Sequence, residues 1–207
     1  CALPICEGMN SSPIATDQSV TVTEQTQAEI TLSGTDADGD TLTYSIVDQP
    51  SNGEIQLEDS KVTYISNSDS ATSDSFTFNV NDGKSDSTET GKVTITIDPV
   101  NDVPIALDIS SATIINTNTT IPLFGKDLDY DPITYIIETL PENGKIKDSL
   151  GNEINSGDIP KTLSVPLLLF IPNTDYKGTD SFNYKVNDGK ADSDIKKVTI
   201  KIAEKYL

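Results

Sequence analysis

Apolar and polar residues alternate strictly in Val20-Thr21-Val22-Thr23, Phe76-Thr77-Phe78-Asn79-Val80 and Val93-Thr94-Ile95-Thr96-Ile97. The alternation returns in Phe182-Asn183-Tyr184-Lys185-Val186 and Val198-Thr199-Ile200-Lys201-Ile202. A period of two, rich in Val, Ile, Thr and aromatics, predicts strands with one buried face. Clusters of Asn, Asp, Gly, Ser and Pro break these runs at short, regular intervals, and no stretch sustains a helical period. In the first half the pattern predicts strands near 18–24, 27–33, 41–48, 53–57, 61–66, 74–81 and 91–98. About seven short strands per half fit an all-β domain of two packed sheets. Tyr44, Tyr135, Phe76 and Phe182 are expected in the cores of such domains.

The second half repeats the first. G-T-D-A-D-G-D-T-L-T-Y-S-I (Gly34 to Ile46) returns as G-K-D-L-D-Y-D-P-I-T-Y-I-I (Gly125 to Ile137). P-S-N-G at Pro50 matches P-E-N-G at Pro141, S-D-S-F at Ser73 matches T-D-S-F at Thr179, and V-N-D-G-K occurs at Val80 and Val186. Such self-similarity marks two copies of one folding unit. The offset is 91 residues at Asp36/Asp127 and 106 at Asp82/Asp188. About fifteen residues are therefore inserted within Lys147 to Pro166, as a longer loop or an added hairpin. The two Asn-Gly pairs are expected in hairpin turns, with glycine supplying positive φ. Residues 1–9 form an N-terminal segment, 10–99 the first domain and 100–207 the second. They meet at D-P-V-N-D-V-P (Asp98 to Pro104), a short joint stiffened by two prolines.

Composition narrows the chemistry. Asp and Glu number 33 against 14 positive residues, all of them Lys, for a net charge of −19. That balance excludes nucleic acid and anionic membrane surfaces as partners. Without His there is no Ser-His or Cys-His nucleophile pair and no imidazole ligand. Hydrolysis by two carboxylates needs only a pair of acids, but acids are too abundant here to mark one. Both cysteines, Cys1 and Cys6, precede the repeats. They fit a local disulfide in an oxidising compartment, intermolecular pairing, or a lipid anchor on Cys1. The longest apolar run, Val165 to Ile171, is too short to span a membrane and contains Pro166.

Three motifs carry a family likeness. T-D-A-D-G-D-T-L-T-Y-S-I resembles a D-x-D loop followed by its strand, V-N-D-G-K a late Asp-Gly turn, and D-P-V-N-D-V-P a D-x-N-D-x-P linker. With V-T-E-Q-T around Glu24 they resemble the cadherin repeat, and more closely the cadherin-like repeats of bacterial surface adhesins. The resemblance covers residues 10–207 and implies two tandem Ig-like, cadherin-like Greek-key β-sandwich domains. It also implies Ca2+ at the joint, held by Glu24, Asp98, Asn101, Asp102, Asp127, Asp129 and Asp188. Alternate residues of a tight loop turn several oxygens to one point, which adds Asp131, and an all-oxygen set favours Ca2+. Asp36, Asp38, Asp40 and Asp82 form the matching loop of the first repeat, expected to bind a weaker ion or none. There the linker reads Asn10-Ser11-Ser12-Pro13, without the aspartate. Ile115 stands where Glu24 stands in the first copy, so the second repeat reads as a terminal domain. For any one loop alone, the competing explanation is that these acids are solvated turn residues.

The expected function is a non-catalytic, secreted or cell-surface calcium-binding module for adhesion or structure. Its partners would be further copies of itself or cell-surface ligands. Two alternatives remain open on sequence. One is a filament or matrix subunit joined through residues 1–9 by strand addition; the other is an accessory domain pair of a larger secreted enzyme.

Overall fold

The computed structural model describes residues 9–204. The chain divides into two compact units, Cys1–Val100 (unit 1) and Asn101–Leu207 (unit 2). Expectations for Cys1 and Cys6 lie outside the described residues. None of the described helices is long and apolar enough to cross a membrane.

Unit 1 contains β1 (Ile14–Ala15), β2 (Gln18–Thr23), β3 (Gln27–Thr31), β4 (Gly34–Thr35), β5 (Thr43–Asp48), β6 (Gly53–Glu58), β7 (Lys61–Ser66), β8 (Ser73–Asn81) and β9 (Gly91–Asp98). One sheet has the order β2-β9-β8-β5, the other β3-β7-β6, and β1 pairs with β4. β2 runs parallel to β9, whereas the other pairs in the unit are antiparallel. Every second residue of β8 and β9 is buried: Phe76, Phe78 and Val80, then Val93, Ile95 and Ile97. These side chains meet Val62 and Tyr64 of the opposite sheet in one core. Seven of these strands fall where the alternation predicts them, whereas the two-residue strands β1 and β4 lie outside the predicted runs.

Unit 2 contains β10 (Ile105–Ala106), β11 (Ile109–Ile114), β12 (Thr119–Pro122), β13 (Gly125–Lys126), β14 (Thr134–Ile137), β15 (Gly144–Lys147), β16 (Lys161–Leu163), β17 (Leu167–Pro172), β18 (Gly178–Asn187) and β19 (Lys196–Ala203). Its sheets have the orders β11-β19-β18-β14-β16 and β12-β17-β15, with β10 on β13. The plan is that of unit 1 with one addition. The inserted residues supply β16, which extends the first sheet, and send Ile154 and Leu163 into the core.

The Asn-Gly expectation is corrected by the structure. Gly53 and Gly144 open β6 and β15 and are not among the glycines with positive φ. Glycine is required there for space: a Cβ at Gly53 would collide with the ring of Tyr64, and one at Gly144 with the ring of Phe170. The preceding loops are folded by buried carboxylates. Asp74 accepts from Ser51 N (2.9 Å), Asn52 N (2.9 Å) and the Tyr64 hydroxyl (3.0 Å). Asp180 accepts from Glu142 N (3.1 Å) and Asn143 N (2.9 Å).

Burial, helped by the bond to Asp74 and its charge, pushes the Tyr64 phenol up to about 12. The folded state therefore favours the neutral phenol over an unfolded value near 10. This contribution to stability is intact below the unfolded value and is lost as pH rises through the folded one. The urea midpoint of unit 1 is expected to fall between pH 9 and pH 12, and more weakly in Tyr64→Phe. At neutral pH that variant loses only about 1 kcal/mol, one hydrogen bond, since unit 2 has Phe170 at this place. Equal alkaline slopes in circular dichroism melts of the two proteins would refute the assignment.

Candidate metal centres

The acids form a pole at one end of each unit. In unit 1, β2 ends with Thr23 beside Asp98, so Glu24 and Asp98 share one pole. β8 runs antiparallel to β9, which carries Asp82 to the opposite pole, with the Asp36–Asp40 loop.

In unit 2, carboxylate oxygens of Asp127, Asp129 and Asp131 lie within 4.8 Å of one another. Backbone turns them inward: Asp131 N donates to Asp127 Oδ1 (3.0 Å), and Tyr130 between them adopts φ +63°. Asp102 N donates to Asp129 Oδ2 (2.8 Å), and Asn101 Nδ2 to Asp188 Oδ2 (2.8 Å). Lys190 N and Ala191 N both donate to Asp188 Oδ1 (2.6 Å each). Burial pushes the Asp188 carboxyl up, but these donors outweigh it and hold it below the usual range. Asn101, Asp102, Asp127, Asp129, Asp131 and Asp188 are thus brought together. The Lys190 ammonium lies 2.8 Å from Asp131 Oδ2 at the exposed margin.

Unit 1 builds the same pole from fewer acids. Asp36, Asp38 and Asp40 also have oxygens within 4.8 Å of one another. Asp38 N and Asp40 N donate to Asp36 Oδ1 (2.9 and 3.0 Å), with Gly39 at φ +79° in the place of Tyr130. Ser11 N donates to Asp38 Oδ2 (2.7 Å) and Asn10 Nδ2 to Asp82 Oδ2 (2.9 Å). Donors from Ser85 N, the Asn10 side chain and Lys84 N hold Asp82 far below the usual carboxylate range. Asn10 and Ser11 do the work of Asn101 and Asp102, but Ser11 brings no carboxylate. The signal for them was the match of Asn10-to-Pro13 with Asn101-to-Pro104.

At the other pole of unit 1, Glu24 is 2% exposed. Val100 N donates to its Oε2 (2.9 Å), and Glu24 N to Asp98 O (2.9 Å). The Asp98 side chain is exposed. Val100 is followed along the chain by Asn101 and Asp102. At the matching pole of unit 2, Ile115 N donates to Ala203 O, without a carboxylate.

Six buried side-chain polar atoms among the described residues have no hydrogen-bond partner. Five are Glu24 Oε1, Asp36 Oδ2, Asn101 Oδ1, Asp102 Oδ2 and Asp127 Oδ2; the sixth is Gln18 Oε1. All are oxygens, and buried oxygens without a donor are costly unless a cation meets them. The five belong to the residues that the motifs single out, and their hard-oxygen character fits Ca2+.

The family model described as "Bacterial Ig domain" matches residues 10–96 and 101–201. Among curated proteins, the chain is similar to "Integrin beta-like protein A" of Dictyostelium discoideum, with 29% identity over 215 residues. The match takes in 89% of the chain and spans 11% of that relative's length. Among solved structures, human protocadherin-24 EC1-2 (form II) matches at TM-score 0.55 and 15% identity, over 95% of this chain and all of that one. Human mucin-like protocadherin EC1-2 matches at TM-score 0.53 and 13% identity, over 93% and 98%. At such identities the likeness is one of fold.

Proposed function

The chain belongs to the bacterial Ig domain family in two tandem copies, and from that premise we propose that it is a non-catalytic extracellular module for adhesion or structure, stiffened by Ca2+. The observation that carries the proposal is the coincidence of unpartnered buried oxygens with the acidic loops. Asn101, Asp102, Asp127, Asp129 and Asp188 form the stronger site, with Asp131 at its margin; Glu24 and Asp98, at their own pole of unit 1, are separate candidate ligands. Asp36, Asp38, Asp40 and Asp82 form the weaker one, with one carboxylate fewer. Ca2+ takes six to eight oxygens at about 2.3–2.6 Å, from carboxylates, amide carbonyls and backbone. Mg2+ demands a tighter octahedron and gives up its waters reluctantly, so Ca2+ is the preferred ion. Neutralising the acids around Asp98 to Asp102 relieves their mutual repulsion and stiffens the joint. The name of the curated relative, an integrin beta-like protein, agrees with a surface role.

Isothermal titration of chelator-treated protein is expected to give saturable Ca2+ binding in two classes. Asp127→Asn should remove the tighter class and Asp36→Asn the weaker one. Limited proteolysis between Asp98 and Pro104 should slow in calcium. Absence of binding at millimolar calcium, or equal response to magnesium, would overturn the assignment.

A further inference from the structure

The two units differ at one sheet edge, where unit 1 exposes a strand that its duplicate covers. In unit 2, β16 lies antiparallel on β14, with Leu163 opposite Tyr135, Thr162 opposite Ile136 and Lys161 opposite Ile137. Among the described residues, unit 1 has no such strand. Its β6 turns into β7 through Asp59 and Ser60, and β5 is the last strand of its sheet. The core registers the difference. Tyr135, Ile137 and Ile146 are 7%, 0% and 0% exposed, while their counterparts Tyr44, Ile46 and Ile55 are only half-buried. A groove of about 620 Å3 lies here, lined by Leu42, Tyr44, Leu57 and Asp59 among others.

The backbone of β5 is turned for pairing. Val80, opposite Tyr44, gives its N–H to Ser87 Oγ (3.2 Å) and takes Ser87 N on its carbonyl (2.7 Å). Ser87 lies on the connection to β9, so Val80 bonds away from β5. In an antiparallel ladder the two members of such a pair both point outward. The N–H and C=O of Tyr44 therefore face the open edge, and those of Ile46 follow by the same alternation.

The occupant is indicated by the duplicate and by charge. Residues 1–100 carry 17 Asp and Glu against 3 Lys, whereas residues 101–207 carry 16 against 11. Two copies of so acidic a unit repel, which disfavours a second copy of β5 as the partner. The strand that covers this edge in unit 2 offers Lys161 and Leu163. We propose that β5 is a strand-addition site for an extended segment of another protein, taken in the register of β16. An apolar side chain would stand opposite Tyr44 and a basic one opposite Ile46. Main-chain bonds hold such a segment, and the alternate side chains select it.

The test uses a blocked peptide of residues 159–165, Ile-Pro-Lys-Thr-Leu-Ser-Val, titrated to millimolar concentration into the isotope-labelled full chain. Saturable amide shifts and slowed hydrogen exchange are expected at Tyr44 and Ile46. A peptide carrying Leu163→Asp should bind at least about tenfold more weakly, having lost its apolar anchor. Lys161→Glu should weaken binding severalfold at low salt. The proposal is overturned by shifts that map elsewhere, by no shift at all, or by an equal response to the Leu163→Asp peptide. It is also overturned if the β5 amides become protected with rising protein concentration alone, which would assign the edge to a second copy.

Discussion

Saturating Ca2+ is expected to raise the melting temperature of unit 2 by on the order of 10 °C over its value in excess chelator. An ion present at a hundred times its dissociation constant stabilises the folded state by about 2.7 kcal/mol. Each kcal/mol moves the midpoint of a domain this size by about 4–8 °C. The gain is large because the cost without the ion is already built in: Asp127 is 6% exposed and its Oδ2 has no donor, and Asp102 Oδ2 and Asn101 Oδ1 are in the same state. Asp127→Asn separates a ligand from a structural acid. It keeps the acceptor for Asp131 N, removes one repelling charge, and should leave the chelated midpoint unchanged or slightly higher while abolishing the calcium gain. Acid should act in a defined window. Asp188 and Asp82 are depressed carboxylates, so their contribution is complete above the unfolded value near 3.9 and fades as pH falls through the folded one. The calcium shift should persist at pH 5, begin to decline only below the unfolded value, and be lost as pH falls through the depressed folded ones. Coincident melts in chelator and in millimolar calcium at pH 7 would end the metal reading.

The strands were legible because each half-buried run, such as Val93 to Ile97, states its own inward face. The acid loops were legible because Asp36/Asp127 and Asp82/Asp188 recur at matching places, so that a turn residue and a repeated turn residue could be told apart. What alternation cannot express is a partner distant in sequence. Asp74 and Asp180 were visible in the repeated D-S-F, yet nothing local says that they fold the Pro50 and Pro141 loops. The glycines beside those loops were read as turn formers, when the limit is the space left by Tyr64 and Phe170. The insertion could be counted, but not its effect on Tyr135 and Ile137. Burial at a sheet edge depends on which strand arrives next to it, and unit 1 and unit 2 answer differently from nearly the same residues.

Asp180→Ala is expected to destabilise unit 2 by about 3–5 kcal/mol, a large share of the 5–15 kcal/mol that holds a domain of this size together. Asp180 is 4% exposed and accepts from Glu142 N, Asn143 N and Ser181 N (2.8 Å). Truncation leaves these amides without an acceptor in a part-buried loop, at about 1–3 kcal/mol for each that water cannot reach. Asp74→Ala should cost unit 1 at least as much, because the Tyr64 hydroxyl is stranded as well. The contrast with the metal loops is the point of the measurement. Asp180 is buried with its oxygens satisfied, so removing it harms the protein in chelator and in calcium alike. Asp127 is buried with an oxygen unsatisfied, so removing its charge harms the protein only when calcium is present. Urea midpoints read by hydrogen exchange, which resolves the two units, should show this crossing. If Asp180→Ala shifted the chelated midpoint of unit 2 no more than Asp127→Asn does, the buried carboxylate would not be what folds the Pro141 loop.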